Sequence, residues 1–428
     1  MRVFYFFLIC ILTAGCSSRG ESAGDLNTID LASNVGKGKI VDLSDVAHDI
    51  RYVKLETNDS SLIGSFPKAY YENGRIYVVC SKVIIAFDEN GKFLFKLDSR
   101  GRGPKESVNI SNILFLPESG DILIHSRGNE RTNKLLFFDK NGKYLKTKDM
   151  PVKFNMSSEM VLRLNSNLYV YPFHLLKQDS ATIIASVYDS TFNVLKNIST
   201  PYLPENEKIT HMQMAKRESD GSVTMINAGS YFSIQPPNMY IFKDNVRFLT
   251  KGNDTIFSLD SKLNYYPAFW INYGKYKNQS PDNINISTEK GKYITQKNNY
   301  FIESEENIIL QFYLRDYCHE PYEITFTNLN RIRVNRYTDC YALYNKKTGA
   351  FTLMNQPVKN MLGFREDIKN GPPFLPVSIS SDFQACALFT ASQIIEYAQA
   401  NDVKGELKEI AKDLKDTDNP IVAIAKMR

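Results

Sequence analysis

The sequence has few of the features that mark nucleic-acid or carbohydrate binding. It holds 52 lysines and arginines against 47 aspartates and glutamates, a formal net charge of +5, and its basic residues form no clustered run. A nucleic-acid partner is therefore not expected, because such proteins usually carry a basic face or strip. The single tryptophan, Trp270, offers little for stacking on sugars.

Long apolar runs are also scarce, and the only prominent one stands at the N-terminus. Arg2 precedes an apolar run, Val3 to Leu12, that is too short to span a bilayer as a helix. Small residues at 13–15 then lead to Cys16, a pattern that resembles a bacterial lipoprotein signal. Residues 1–15 are thus predicted to be a signal peptide, Cys16 the lipidated first residue and 16–38 a polar tether. Thr13 stands where an aliphatic residue is usual, so the alternative is plain cleavage with an unmodified Cys16.

Cysteines are few, six in all. Besides Cys10 and Cys16, the chain has Cys80, Cys318, Cys340 and Cys386. An oxidising periplasm would permit a disulfide, and the pair favoured by its separation is Cys318–Cys340. Buried free thiols are the equally acceptable alternative.

What the sequence does have is a repeat. The segments 84–97 and 135–148 share a β-rich run, an Asn-Gly turn and a second β-rich run, at an offset of 51 residues. Asn-Gly between such runs predicts a β-hairpin in which both turn residues can take positive φ. A more divergent third copy follows, with Asp189 placed 50 residues after Asp139. Four short strands in a repeat near 50 residues predict a β-propeller.

The length of the repeated region predicts six blades, within an all-β domain over residues 39–390. Because an open ring would leave a strand edge unpaired, the strand at Ile50–Glu56 is expected to share a blade with strands beyond residue 360. The period then changes, and residues 391–428 are predicted to hold two short helices and a closing strand. The apolar stripe of Leu407, Ile410 and Leu414 is expected to pack on the propeller.

Candidate sites are few. The five histidines, none in a short metal-ligand spacing, are His48, His125, His174, His211 and His319. Cys80, His125 and His174 fall near the ends of successive second strands, so a ring of metal ligands is conceivable there. Strand ends also tolerate such residues without a metal, and the sequence predicts neither a metal nor a cofactor.

Two further motifs have structural interpretations. Gly101-Arg102-Gly103-Pro104 follows a strand, but Pro104 removes an N–H group that a phosphate cradle needs, so a sharp loop between blades is favoured. Asp88, Asp139 and Asp189 each stand just before a turn, where aspartate accepts hydrogen bonds from local backbone N–H groups.

Taken together, several segments resemble a known family, the bacterial six-bladed β-propeller lipoproteins related to NHL-type propellers. They are Tyr52–Thr57, Ile63-Gly64, Phe87–Lys92, Arg100–Glu106, Asn253–Phe257 and Asp418-Asn419-Pro420. The resemblance implies the fold and a cell-envelope location, without indicating the periplasmic or the surface side of the membrane, and it supplies no catalytic residues. The sequence therefore favours a lipid-anchored protein, expected in the outer membrane, that binds or scaffolds a protein or glycan. The alternative is an envelope enzyme, a lyase or hydrolase, with its site in the central funnel.

Overall fold

The computed structural model is a six-bladed β-propeller, which confirms the predicted fold and blade number. It describes residues 26–80, 83–101, 103, 105–107, 109–127, 133–150, 161–172, 175–177, 183–199, 210–217, 222–234, 237–250, 253–277, 292–328 and 331–428. Each blade contains four antiparallel strands that are neighbours in one sheet. The predicted signal peptide, Cys16 and His174 lie outside the described residues.

The first three blades follow the chain in order, after two strands that join later blades. The two early strands are β1 (Asn27–Ile29) and β2 (Ala47–Lys54). Blade one comprises β3 (Lys68–Glu72), β4 (Arg75–Cys80), β5 (Val83–Asp88) and β6 (Phe93–Asp98). Blade two comprises β7 (Asn109–Phe115), β8 (Ile122–Arg127), β9 (Asn133–Phe138) and β10 (Tyr144–Met150). Blade three comprises β11 (Leu162–Asn165), β12 (Leu168–Pro172), β14 (Ile183–Tyr188) and β15 (Val194–Ser199).

The last three blades follow, with longer segments between or within them. Blade four comprises β18 (Asn238–Phe242), β19 (Asn245–Leu249), β20 (Thr255–Asp260) and β21 (Tyr265–Ile271). Blade five comprises β22 (Thr295–Glu303), β23 (Asn307–Tyr313), β26 (Asp339–Asn345) and β27 (Phe351–Leu353). Blade six comprises β28 (Ser378–Ile379), β29 (Gln384–Phe389), β30 (Ile421–Met427) and β2.

Most insertions emerge on one face of the ring. Since successive strands alternate in direction, the connections between second and third strands, and the links between blades, lie on the same face. We call this the linking face. It carries the loop 57–67, the helices α1 (Ala391–Ala400) and α2 (Gly405–Asp413), the hairpin β24 (Tyr322–Asn328) and β25 (Arg331–Tyr337), and the small sheet of β13 (Leu175–Lys177), β16 (Thr210–Arg217) and β17 (Val223–Ile234).

The apolar core is divided among the junctions of neighbouring blades. Among the described residues, six separate clusters of buried side chains each draw on two adjacent blades, one cluster for each junction of the ring. The third strand of a blade is covered on both faces, which explains its continuous apolar sequence, as in Val83–Phe87. The fourth strand has one open face, and β6 accordingly alternates between partly buried and exposed residues.

The ring closes as predicted, through strands that are distant in sequence. β2 pairs antiparallel with β30, in a register that places Tyr52 opposite Ala423. β30 in turn pairs with β29, so it is the third strand of blade six. The boundary expected at residue 390 is therefore wrong as a limit of the propeller, because the chain returns to complete the last blade after the two helices.

The C-terminal helices pack on the propeller, as the apolar stripe predicted. Leu407 is fully buried and belongs to one cluster with Ile50 of β2 and Ile421 of β30, and Ile410 packs against it. α2 also covers the outer edge of β2, since the Tyr52 N–H donates to Glu406 Oε1 at 3.2 Å. Covering an edge strand in this way prevents pairing with other chains.

The predicted tether is shorter than residues 16–38. β1 pairs in parallel with β21 and adds a fifth strand to blade four, and Ile29 and Leu31 are fully buried there. The chain is therefore part of the folded body from about residue 27 on. Ile29 and Leu31 pack in one cluster with apolar side chains of blade four, and the polar sequence around them does not predict this contact.

The turn between third and fourth strands follows one rule in the first four blades. The Oδ1 atoms of Asp88, Asp139, Asp189 and Asp260 each accept the backbone N–H groups two and four residues ahead, at 2.8–2.9 Å. This confirms the turn role predicted for the first three aspartates and adds Asp260. In blade five, Asn345 accepts the N–H groups of Lys347 and Thr348 at 3.0 and 2.9 Å.

The conformation of these turns differs from the Asn-Gly turn that we expected. Gly91 has φ of 84°, but Asn90 does not take positive φ, so only one residue of the turn is left-handed. In blades three and four the left-handed position is held by Phe192 and Leu263, at φ of 65° and 67°. All four turns keep the aspartate and one residue with positive φ, but that residue is glycine only in blades one and two. This loss of glycine is part of why the later repeats are hard to recognise in the sequence.

Candidate functional site

Four of the motif segments named above come together where blade six meets blade one, a place we call the seam: Tyr52–Thr57, Ile63-Gly64, Phe87–Lys92 and Asp418-Asn419-Pro420. The Glu56 N–H donates to the Gly91 carbonyl oxygen at 2.8 Å, and the Glu56 carboxylate accepts the Phe93 N–H at 2.8 Å. The guanidinium of Arg51 donates to the Glu89 carbonyl oxygen at 2.6 Å. Several of the segments behind the family resemblance thus have a shared structural task, which is to close the ring.

Asn419 fixes the loop 57–67 that crosses the seam on the linking face. Its Nδ2 donates to the carbonyl oxygens of Glu56 and Ser61, at 2.8 and 2.9 Å. Its Oδ1 accepts the Ile63 N–H at 3.1 Å, and its own N–H donates to Thr57 Oγ1 at 2.8 Å. Asn419 is only 3% exposed, so these bonds are made in a site largely shielded from water.

The same loop presents apolar side chains to solvent. Phe66 is 96% exposed, and Leu62 is 51% exposed. Phe66 also has φ of 54° and precedes Pro67, a combination that sterically disfavours most residues. Strained backbone of this kind persists only where the surrounding structure holds it, and it is concentrated at functional positions. We therefore take Phe66 and Leu62, on a base fixed by Asn419, as the candidate binding site.

A second group of polar residues surrounds Asp339, at the start of β26. Three donors reach Asp339 Oδ2: Lys297 Nζ at 2.7 Å, Gln311 Nε2 at 2.6 Å and the Tyr322 hydroxyl at 2.9 Å. The side chain of Asp339 is 1% exposed, and its Oδ1 has no hydrogen-bond partner among the described residues. Burial and the hydrogen bond to Asp339 both raise the pKa of Tyr322. The carboxylate thus joins blade five to the root of the β24–β25 hairpin.

A small cavity beside Asp339 contains the predicted disulfide pair. Cys318, His319, Glu320 and Cys340 line it together with Asp339, and its volume is about 20 Å³. That volume suits a single water molecule and is far below the several hundred cubic ångströms of a typical ligand pocket. Cys318 and Cys340 are both free thiols in the structure, and burial raises the pKa of Cys340 to about 12. Pairing of the two thiols stays a prediction.

Of the three candidate metal ligands, Cys80 and His125 lie in the described part of the chain, whereas His174 lies outside it. Cys80 ends β4, is buried, and approaches Gly64, where a Cβ would lie 3.8 Å from its sulfur. His125 is buried in β8, edge-on to Tyr171 with ring centroids 5.8 Å apart. Among the described residues, no three His, Cys, Asp or Glu side chains are grouped so that they could hold a metal ion.

The glycine-rich loop after blade one already binds an anion of its own chain. The N–H of Gly103 donates to Glu106 Oε2 at 2.9 Å, and the N–H of Gly101 donates to the Ser107 carbonyl oxygen at 3.2 Å. A Cβ at Gly101 would lie 1.8 Å from Glu106 Oε2, so glycine is required there for the carboxylate to fit. This geometry suits a loop between blades, as predicted, and the N–H groups of Gly101 and Gly103 are both engaged within it.

Sequence reasoning missed one buried ionic network. Glu303 accepts two bonds from the Arg247 guanidinium, at 3.0 and 3.1 Å, one from Lys346 Nζ at 3.1 Å and one from the Tyr240 hydroxyl at 2.7 Å. The carboxylate of Glu303 is fully buried. Burial lowers the pKa of Lys346. These residues, far apart in sequence, join blades four and five, and no local pattern could have identified them.

Comparison with known proteins assigns the chain to a family. The family described as Domain of unknown function (DUF4934) matches residues 26–426. The chain belongs to this DUF4934 family. The match spans all six blades and the segments that meet at the seam, which agrees with the resemblance stated above. No curated protein matches the chain.

Solved structures support the fold. A protein described as exported, from Bacteroides fragilis NCTC 9343, is 16% identical with a TM-score of 0.61, over 94% of this chain and 99% of that one. A DUF4221 family member from Bacteroides vulgatus is 11% identical with a TM-score of 0.40, over 90% and 97% of the two chains. A virginiamycin B lyase from Staphylococcus aureus is 9% identical with a TM-score of 0.27, over 67% and 88%. Only the first likeness is close enough to bear on this DUF4934 protein, and it bears on the fold alone.

Proposed function

We propose that this DUF4934 protein is a lipid-anchored binding or scaffold protein of the cell envelope, which recognises a protein or glycan partner through the loop 57–67. The observation that carries the proposal is Phe66, a 96% exposed aromatic side chain on left-handed backbone. Aromatic side chains dominate the binding energy of many protein interfaces. At 96% exposure, Phe66 gains little from packing against the described residues.

The base of the loop favours recognition by a preformed surface. Asn419 and Ser61 are 3% and 0% exposed and are hydrogen-bonded to the loop backbone, so Phe66 is presented on an ordered support. A preordered site loses less conformational entropy when a partner binds. An ordered loop of this kind is suited to binding a partner, whereas a lid over an active site would need to move.

The alternative, a lyase or hydrolase with its site in the funnel, lacks a specific observation in its favour. The strongest pKa shifts among the described residues belong to buried tyrosines such as Tyr240 and Tyr300, raised chiefly by burial. Tyr240 bonds to Glu303 and Tyr300 to the Pro376 carbonyl oxygen, at 2.7 and 2.6 Å, in contacts that join blades. These buried tyrosines stabilise contacts between blades, whereas the exposed Phe66 side chain is available to a binding partner.

The envelope location rests on the N-terminal signal and on likeness to a protein described as exported. Among the described residues no helix is long and apolar enough to cross a membrane. Metabolic labelling with a palmitate analogue tests the anchor: the wild type should be labelled and Cys16→Ala should not. Equal labelling of the two proteins would disprove lipidation at Cys16.

Photo-crosslinking in cells tests the binding site. A photoreactive phenylalanine analogue replaces Phe66 in the full-length protein, and a matched protein carries it at Leu195, which is 47% exposed on the outer strand of blade three. We expect a discrete cross-linked species from position 66 that is absent from position 195. Identical products from both positions, or none from position 66, would contradict a partner site at this loop.

A further inference from the structure

The first strand determines the direction in which the N-terminal chain leaves the ring. β1 pairs in parallel with β21, and Asn27 stands opposite Phe269. β21 is the fourth strand of its blade, so it begins after the Asp260 turn and runs towards the linking face. Because β1 runs the same way, the chain before Asn27 leaves towards the opposite face. We call this the turn face, since it carries the turns between first and second and between third and fourth strands.

Contacts on both sides of β1 hold this direction in place. Ile29 is fully buried in the cluster that blades four and five share. The Asn272 N–H donates to the Ile29 carbonyl oxygen, and the Ala32 N–H donates to the Asn272 carbonyl oxygen, both at 2.9 Å. The Asn272 side chain also donates to Asp30 Oδ1 at 3.0 Å. The exit of the N-terminal chain is therefore a fixed property of the fold.

The chain between the predicted anchor and the folded body is short. Leu26 follows Cys16 by ten residues. Ten residues of fully extended chain span at most about 36 Å. An unstructured chain of ten residues typically spans only about 16–19 Å. A protein anchored at Cys16 is thus held close to its membrane by the part of the surface where Leu26 emerges.

The two faces lie at different distances from Leu26. It precedes the residue opposite Phe269, so it stands near the middle of β21, about 10 Å from either end of that strand. The turn face beyond one end carries only short turns, within the typical span of the tether. The linking face beyond the other end carries the β24–β25 hairpin, whose seven-residue strands extend up to about 23 Å. A membrane against that hairpin would require a reversed and almost fully extended tether.

Exposed apolar side chains are concentrated on the linking face. Five large apolar residues of the described chain are more than half exposed, namely Leu62, Phe66, Val194, Ile332 and Val334. All of them except Val194 belong to the loop 57–67 or to the β24–β25 hairpin. No large apolar residue in a described turn of the turn face is exposed. Since exposed apolar patches mark interaction surfaces, the linking face is the one suited to a partner.

We propose that the Cys16 anchor holds the turn face towards the membrane and directs the linking face away from it, so that the loop 57–67 meets its partner in the aqueous space. The proposal rests on the proposed function in two respects, the anchor at Cys16 and the partner site at Phe66. It adds the location of the partner, which is neither a lipid nor a segment embedded in the anchoring membrane.

Energy transfer to the membrane surface tests this orientation. The lipidated full-length protein is added to preformed phosphatidylcholine vesicles that contain an acceptor dye on a lipid headgroup. A fluorescent amino acid replaces Thr348, exposed in a blade-five turn of the turn face, or Ile332, exposed on the hairpin of the same blade. We expect the donor at position 348 to lie closer to the membrane by at least the length of a seven-residue strand, about 23 Å. Equal distances, or a shorter distance for position 332, would overturn the proposal.

A longer tether tests whether the chain direction causes the orientation. Twenty glycine and serine residues are inserted directly before Leu26 in both labelled proteins. The difference between positions 348 and 332 should then shrink, because a flexible chain of about thirty residues typically spans about 27–33 Å and lets either face approach the bilayer. An unchanged difference would overturn the proposal, since it would mean that the turn face adheres to the bilayer whatever the tether length.

Two further measurements separate this proposal from the proposed function. Without palmitate labelling at Cys16, the orientation fails together with the anchor. With labelling intact, an inverted or random orientation contradicts this proposal alone. In the same vesicles, which contain no other protein, a photoreactive phenylalanine analogue at position 66 should form no lipid adduct. A lipid adduct there would place the loop at the bilayer and overturn the orientation, whatever partner position 66 captures in cells.

Discussion

Asn419 is the residue whose replacement tests the architecture of the candidate site most directly. Asn419→Ala removes three side-chain hydrogen bonds, to the Glu56 and Ser61 carbonyl oxygens and from the Ile63 N–H. At about 0.5–1.5 kcal/mol for each bond, the loss is about 1.5–4.5 kcal/mol. The Ser61 carbonyl oxygen, on a fully buried residue, would lose its donor, whereas the Glu56 carbonyl oxygen would still accept from Ser61 Oγ at 2.7 Å, so we expect the middle of that range.

Urea unfolding measures the effect, from the change in midpoint at constant slope. Asn264→Ala is the matched control, since the Asn264 amide is exposed and donates to Asp260 at 2.8 Å in a surface turn. The control should cost less than about 1 kcal/mol. The Asn419 variant should also lose the position-66 cross-link, because its loop is no longer held. A loss of less than about 1 kcal/mol in the free energy of unfolding for Asn419→Ala would refute the reasoning. It would mean that water takes over the hydrogen bonds of the Asn419 amide.

Three further predictions concern the ring, its pH response and its thiols. Gly91→Ala should destabilise the protein more than Gly349→Ala, although both glycines have positive φ, 84° and 70°. The reason is that a Cβ at Gly91 would lie 2.2 Å from the Lys54 carbonyl oxygen in the closing strand, whereas a Cβ at Gly349 would meet nothing within 4 Å. Equal urea midpoints for the two variants would contradict this. Burial raises the pKa of Glu72 above its unfolded value near 4.5, so the folded state binds this proton more tightly and stability should fall as pH rises through the folded pKa. Glu72→Gln should lack that fall above pH 4.5, and a parallel pH dependence of the two proteins would show the shift to be absent. Alkylation followed by mass analysis should label half-buried Cys318 before buried Cys340 in native protein, whereas a disulfide between them would leave both unlabelled until reduction.

Local patterns were sufficient to predict the blades. Alternation, the aspartate before each turn and the spacing near 50 residues all reflect interactions within a few residues of one another. The same local view misjudged the turn itself. Phe192 takes the left-handed position in blade three because its ring is 8% exposed and packs beside Tyr169, with centroids 5.5 Å apart. Packing against another strand outweighed a backbone preference that is worth about 1–2 kcal/mol.

The boundaries of the propeller depended on pairings over long separations. β30 follows two helices, and its apolar run Ile421–Ala425 indicates a strand covered on both faces but does not say which strands flank it. Its pairing with β2 spans almost the whole chain. β1 likewise joined blade four through Ile29, a residue that reads locally as part of a polar tether. Contacts of this kind are decided by which edges remain open once the other strands have paired.

The sequence by itself determined that the chain would form short antiparallel strands in repeated units, that a ring of about six would close, and that the N-terminus resembles an export signal. Those properties follow from side-chain periodicity and turn chemistry, which act over a few residues. Only the tertiary structure decided that Asn419 would hold the loop of Phe66, that Asp339 would fix the hairpin root, and that Phe66 would be left uncovered. Exposure and hydrogen-bond partners are properties of the assembled surface, because they depend on what every distant segment leaves open.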